Sequence, residues 1–235
     1  YMKISVIIPT YNEEKTIDKL LDKIISLKNL NLEIIVVDDG SNDKTQELLE
    51  KYNKYNFIFL YKHSKNLGKG AAIKTAKNKI NGDIIIIQDA DLEYDPGDYK
   101  NLINPIISGK YKVVYGSRVL GKKRYYNKSF TSKFRVFANH LLTILSNLIN
   151  SQKLTDAHTC YKVFHKTVFN KIQLKENGFS FCPEITTKIS NENFEIYEVP
   201  ISYKGREYKD GKKIKISDGL KAIISLVRYK IEKFI

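Results

Sequence analysis

Ile84-Ile85-Ile86-Ile87 is an unbroken run of four β-branched apolar residues, followed at once by Gln88-Asp89-Ala90-Asp91-Leu92. β-Branched side chains favour extended backbone, and a run without polar alternation leaves neither face for water. It therefore predicts a strand buried on both faces, in the middle of a parallel sheet. The two carboxylates then fall at the carboxyl end of that strand, the edge at which open α/β sheets bind ligands. Asp89 and Asp91 stand one residue apart and repel each other unless a cation offsets them. Their pairing suggests a divalent ion carrying a phosphate-rich ligand. A helix cap beside a solvated acid is the plainer reading of so short a motif, and the surrounding chain has to choose.

Lys3 to Ile8 predicts a strand, followed by Pro9-Thr10-Tyr11-Asn12-Glu13; from Glu14 the apolar residues take helical spacing, with Ile17, Leu20, Leu21, Ile24 and Ile25 on one face. Glu33 to Val37 predicts a second strand ending in Asp38-Asp39-Gly40-Ser41, with Asn42 or Asp43 capping a helix to about Tyr52. Phe57 to Tyr61 is a third strand, and Asn66-Leu67-Gly68-Lys69-Gly70 then opens a helix of small residues, Ala71, Ala72 and Ala76. After the Ile84 strand, Asp95-Pro96 reads as N-cap and first helical position. That helix ends near Gly109, before a fifth strand from Lys112 to Tyr115. Repeated strand-helix alternation predicts an α/β fold, a doubly wound and mostly parallel sheet flanked by helices. Beyond Gly116 the alternation stops. Helical patterns run over Lys133 to Ile149, Glu184 to Ser190 and Ser217 to Phe234, and Phe194 to Tyr203 predicts a strand. Ala157 to Gly178 has no clear period, although Tyr161 to Phe164 suits a strand. With no repeat and no Pro/Gly linker, the chain reads as a single domain with a C-terminal elaboration.

The net charge of +14 is unevenly placed. From Tyr99 to Thr155 there is no Asp or Glu beside eleven Lys and Arg, and Pro200 to Ile235 carries ten basic residues against four acidic ones. Positive charge confined to particular segments implies an anionic partner: phosphate groups, nucleic acid or a lipid surface. Cys160 and Cys182 have no paired motif around them, which excludes a disulfide framework or zinc site and points to a reducing compartment. The apolar segment Leu141 to Ile149 is far short of the roughly 20 residues that a membrane span needs.

Four strand ends converge on one rim: Tyr11-Asn12-Glu13, Asp38-Asp39, Gly68-Lys69-Gly70 and Asp89-Ala90-Asp91. Carboxylates at strand tips suit ribose hydroxyls and base N–H groups, and a cation-bridged Asp pair suits a diphosphate. Gly68-Lys69-Gly70 does not complete a Walker loop, and no G-x-G-x-x-G follows the first strand, so ordinary kinase and dehydrogenase readings lose their support.

Pro9-x-Tyr11-Asn12-Glu13, Asp38-Asp39-Gly40-Ser41, Asn66-x-Gly68-Lys69-Gly70 and Asp89-Ala90-Asp91-Leu92, in that order, resemble family 2 glycosyltransferases of the GT-A (Rossmann-like) fold. The likeness is to the polyprenyl-phosphate branch, the dolichyl- or undecaprenyl-phosphate mannosyl- and glucosyltransferases. It continues through Gly116-Ser117-Arg118, Arg135 with Ala138-Asn139, Thr155-Asp156 with Cys160-Tyr161-Lys162, Glu184, and Pro200 to Lys213. The resemblance implies that residues 1–116 form the nucleotide-sugar-binding half of one domain and residues 117–235 its acceptor-binding and C-terminal part. Pro9, Tyr11, Glu13 and Asp39 would hold the nucleoside of a GDP- or UDP-hexose, with Lys69 and Ala90 lining the donor site. Asp89 and Asp91, a DXD motif, would take Mg²⁺ or Mn²⁺ and the diphosphate. Glu93 stands at a third metal position that is commonly Gln in this branch. Arg206 and Lys213 would neutralise the nucleotide phosphates, and Arg118 and Arg135 would grip the acceptor's phosphate.

Charge then suggests a mechanism. A lipid monophosphate has a second pKa near ~6, so its oxygen is already an anionic nucleophile at neutral pH and needs no general base. Arg118, Arg135, Arg206, Lys213 and the metal would overcome the repulsion between two anions. A hydroxyl acceptor, on a glycan or lipid, would instead need a base: Asp156, with Glu184 behind it. A basic membrane- or nucleic-acid-binding module without catalysis is a third reading, which the intact acidic and basic motifs disfavour, and no nucleic acid is expected. Leu220, Ile223, Ile224, Val227, Ile231 and Phe234 form an apolar stripe with Lys221, Arg228, Lys230 and Lys233 off it. That pattern, with Lys122-Lys123-Arg124-Tyr125-Tyr126, predicts peripheral association with the cytoplasmic face of a membrane. A membrane-protein partner and the oligomeric state stay open.

Overall fold

The computed structural model describes residues 2–120, 130–205 and 216–234; the side chains of 130–135, 216–218 and 234 lie outside that description. The first half runs β1 (Lys3–Thr10), α1 (Ile17–Ile25), β2 (Asn31–Asp38), α2 (Thr45–Glu50), β3 (Ile58–Lys62), α3 (Lys69–Lys77), β4 (Ile84–Ile87), α4 (Tyr99–Ile107) and β5 (Val113–Ser117). The second runs α5 (Phe130–Asn150), β6 (Lys162–His165), α6 (Lys166–Lys171), α7 (Phe181–Asn191), β7 (Tyr197–Pro200) and α8 (Ile216–Ile231). Asp95 caps a 3₁₀ turn, Pro96–Asp98, its side chain accepting from the Gly97 N–H as its place before Pro96 predicts.

Among the described residues, seven strands form one sheet in the order β3-β2-β1-β4-β6-β5-β7. β4 lies at its centre, as the Ile run requires, and all four isoleucines are buried. Their period of two sends Ile84 and Ile86 into the core beneath α1 and α4, and Ile85 and Ile87 into the core beneath α3, α6 and α7. Each contributes about 1.5–3 kcal/mol of burial. The α1 stripe, Ile17, Leu20, Leu21 and Ile24, is fully buried as its spacing predicts.

One feature departs from simple strand-helix alternation. β5 is not beside β4: β6 is inserted between them and pairs antiparallel with both. The other strands run one way, β5 pairing parallel with β7. The reversed strand arises in the stretch with no clear period. α5, α7 and α8 pack on one another at the side of the sheet. Among the described residues, no helix is long and apolar enough to cross a membrane.

Candidate active site

Parallel β1, β2, β4 and β5 bring their carboxyl ends to one edge. Antiparallel β6 delivers the loop that precedes it, Thr155 to Tyr161, to the same edge. The predicted donor residues and Arg118 with Asp156 therefore share a rim.

At the β4 tip, buried Gln88 fixes the start of the acidic motif. Its Oε1 accepts from the hydroxyls of Tyr99 (2.9 Å) and Tyr161 (2.6 Å), and its Nε2 donates to the Asp89 carbonyl (2.9 Å). Asp91 Oδ1 accepts from the Glu93 N–H at 3.0 Å, bending the chain through Leu92 in a left-handed conformation (φ 58°). Asp89 is ion-paired with Lys69. Glu93 is engaged elsewhere, accepting from the Tyr203 hydroxyl at 2.6 Å. Among the described residues, no three carboxylate, histidine or cysteine groups gather around one point, so Asp89, Asp91 and Glu93 do not form a three-acid cage. Two hard carboxylates at a diphosphate site still fit Mg²⁺ or Mn²⁺, because such an ion is usually held by one or two carboxylates and completed by phosphate oxygens and water.

At the β1 and β2 tips the chain is tied across. The Asn12 N–H donates to Ser41 Oγ (2.9 Å), the Asn42 N–H to Asn12 Oδ1 (3.0 Å) and the Glu13 N–H to Thr45 Oγ1 (2.8 Å). Glu13 itself accepts from Thr16 Oγ1 at 2.9 Å. Pro9 lies past Ile7, the last β1 residue paired with β4, and Tyr11 follows it onto the rim. Asp39, expected at the nucleoside, also fastens the glycine turn: its carboxylate accepts from the N–H groups of Leu67 (2.9 Å) and Gly68 (2.7 Å) and bonds His63 Nδ1 (2.6 Å).

That turn is packed against a strap formed by residues 175–177. A Cβ at Gly68 would lie 2.5 Å from the Asn177 carbonyl oxygen, and one at Gly70 would lie 2.4 Å from that of Glu176, so only glycine fits. Glu184 builds the strap. Fully buried, it accepts from the N–H groups of Lys175 (2.6 Å) and Glu176 (2.9 Å) and pairs with Lys188 at 2.7 Å. This carboxylate is saturated by structural partners, which removes it as a reserve base.

Arg118, just beyond β5, and Asp156 form a buried bidentate pair. Nε and Nη2 each donate to the carboxylate at 2.7 Å, and the Arg118 N–H adds a third bond at 3.1 Å. Burial alone would raise the Asp156 pKa, but Arg118 overrides it and holds the carboxyl below its ordinary value. The guanidinium carbon lies 5.2 Å from the Tyr203 ring centroid. Glu198 on β7 sets the Asp156 turn, accepting from the N–H groups of Thr155 (2.6 Å) and Asp156 (2.9 Å). Gln88, Glu198 and Tyr203 were not singled out in the sequence, where only an acid within an apolar strand and tyrosines near charged motifs mark them. Arg135 lies on α5 with its side chain outside the described residues. Arg206, Lys213 and the Lys122–Tyr126 patch lie wholly outside them.

Residues 5–173 match the model of glycosyl transferase family 2. A dolichyl-phosphate beta-glucosyltransferase of Trichomonas vaginalis is 30% identical over 97% of this chain and 73% of its own length. A UDP-N-acetylglucosamine–dolichyl-phosphate N-acetylglucosaminyltransferase of Methanococcus voltae is 30% identical over 98% of this chain and 97% of its own. Among solved structures, glucosyl-3-phosphoglycerate synthase from Mycobacterium tuberculosis, crystallised with Mn²⁺, UDP and phosphoglyceric acid, superposes with a TM-score of 0.73 at 16% identity. The match covers 99% of this chain and 78% of that one.

Proposed function

The chain belongs to glycosyl transferase family 2, and from that premise we propose that it moves a hexose from a GDP- or UDP-sugar to a polyprenyl phosphate, with inversion and with Mg²⁺ or Mn²⁺ at the diphosphate. That it is a glycosyltransferase of GT-A fold follows from the family and the fold. The observation that carries the acceptor assignment is the Arg118–Asp156 pair. A general base works best with a pKa near the operating pH, and Arg118 holds Asp156 on the far side of that range. An acceptor that arrives already ionised has no need of it.

In this reading Pro9, Tyr11, Glu13 and Asp39 wall the nucleoside, and Lys69 and Ala90 flank the diphosphate. Asp89 and Asp91 would hold the divalent ion, which when bound draws off charge developing on the leaving diphosphate. Arg118 offers Nη1 to the acceptor phosphate while Asp156 keeps its fork oriented, and Arg135, Arg206 and Lys213 add positive charge. The lipid tail has a surface to lie on. Phe137, Leu141, Ile144 and Leu148 on α5 are exposed, as are Leu220, Ile224 and Ile231 on α8, and the two helices pack together. We place this face on a membrane, peripherally.

The pH dependence of transfer tests the acceptor. With a lipid phosphate, the acid limb should follow the acceptor's second ionisation near ~6 and persist in Asp156→Asn. A limb that vanishes in Asp156→Asn, together with activity on a matched lipid alcohol, would assign Asp156 as base and a hydroxyl as acceptor.

A further inference from the structure

Lys69 is placed where a metal ion on Asp89 would meet it. Its ammonium is ion-paired with Asp89 and its side chain is only 11% exposed. Cys160 Sγ lies 3.0 Å from Nζ, and the Phe181 ring centroid lies 5.7 Å from it. Held against the Asp89 carboxylate in so enclosed a slot, the ammonium is the cation of an ion pair.

The backbone beneath this lysine cannot withdraw. Gly68 and Gly70 are pressed onto the 175–177 strap, and the Ala71 N–H donates to the Asn177 carbonyl at 3.0 Å. The strap is itself pinned by Glu184 and, through Glu176, by the Tyr229 hydroxyl of α8 at 2.7 Å. A divalent ion entering alone would thus face a fixed positive charge on the same carboxylate, where low dielectric strengthens the repulsion. A diphosphate changes the balance, because its negative charges satisfy lysine and ion together.

We propose that Lys69 is the resident counter-cation of Asp89, and that it keeps free divalent ions off the acidic motif until a nucleoside diphosphate brings one in. The proposal rests on the metal reading given above. It makes the loaded nucleotide, rather than the bare ion, the species that the site admits.

Titration of Mn²⁺ alone, followed by the electron paramagnetic resonance signal of the free ion, tests it on the full chain. Wild type should bind weakly and Lys69→Met at least ten-fold more tightly, while Lys69→Arg, which keeps the charge, should resemble wild type. Adding UDP or GDP should shrink the gap to a few-fold. Equal or weaker Mn²⁺ binding by Lys69→Met, in protein that melts like wild type, would overturn the proposal and leave the metal reading standing. If Lys69→Met does not fold, Lys69→Gln is read in the same way. Mn²⁺ binding by none of these proteins, with or without nucleotide, would overturn the metal reading and this proposal with it.

Discussion

His158 lies two residues from Asp156 with its Nε2 sealed from solvent and, among the described residues, without a hydrogen-bond partner. Burial, and after it the neighbouring Lys162 ammonium, push its pKa down to about 4. The unfolded chain takes up this proton near 6.5 and the folded chain only near 4, so stability is intact above 6.5 and lost as pH falls through that window. The loss is on the order of 3 kcal/mol at the most. Denaturant midpoints measured from pH 7 to 4 should fall in wild type and fall less in His158→Asn; parallel curves would show that the imidazole titrates freely. Asp156 adds its own loss at still lower pH, since its folded pKa is depressed. At this scale the sequence was legible where an acid stands at a strand tip, as Asp89 and Asp91 do beyond β4. It was not where partners meet across long separations: Gln88 finds Tyr161 73 residues away, and Tyr203 finds Glu93 110 residues away.

Between elements, the strap shows why an acid placed near the site in sequence need not be a catalyst. Glu184 has the placement of a reserve base in the sequence, yet its bonds run to the backbone that supports the glycine turn at the start of α3. Glu184→Gln should therefore lower stability by about 1–3 kcal/mol, the cost of an imperfectly satisfied buried site, and weaken nucleotide binding through the displaced turn. Thermal melts beside nucleotide titrations check this; normal melting with lost transfer would return Glu184 to the chemistry. The longer strands and helices were readable because apolar runs and 3.6-residue stripes are local signals. The strand at Tyr161 to Phe164 was readable as β6, but nothing local carries its reversed direction, and α6, six residues long, is too short to display a period.

Across the whole molecule, the exposed apolar residues of α5 and α8 pose a surface problem. Leu148 is 78% exposed and Leu220 65%, a cost that a lipid interface would offset. Vesicles containing phosphatidylglycerol should sediment the protein at low salt and release much of it near about 1 M salt, as screened attraction requires. Leu141→Glu combined with Ile224→Glu should abolish sedimentation without unfolding, since both side chains are exposed; undiminished binding would move the contact elsewhere. The reversed β6 also has a consequence in time. On the ribosome, β4 leaves the exit tunnel long before Lys162 to His165, the strand that covers its free edge. At roughly 5–20 residues per second, that buried-to-be isoleucine ladder waits on the order of ten seconds for its neighbour. The nascent chain is most vulnerable to wrong pairing during that interval, and a slow codon tract between the two strands would lengthen it.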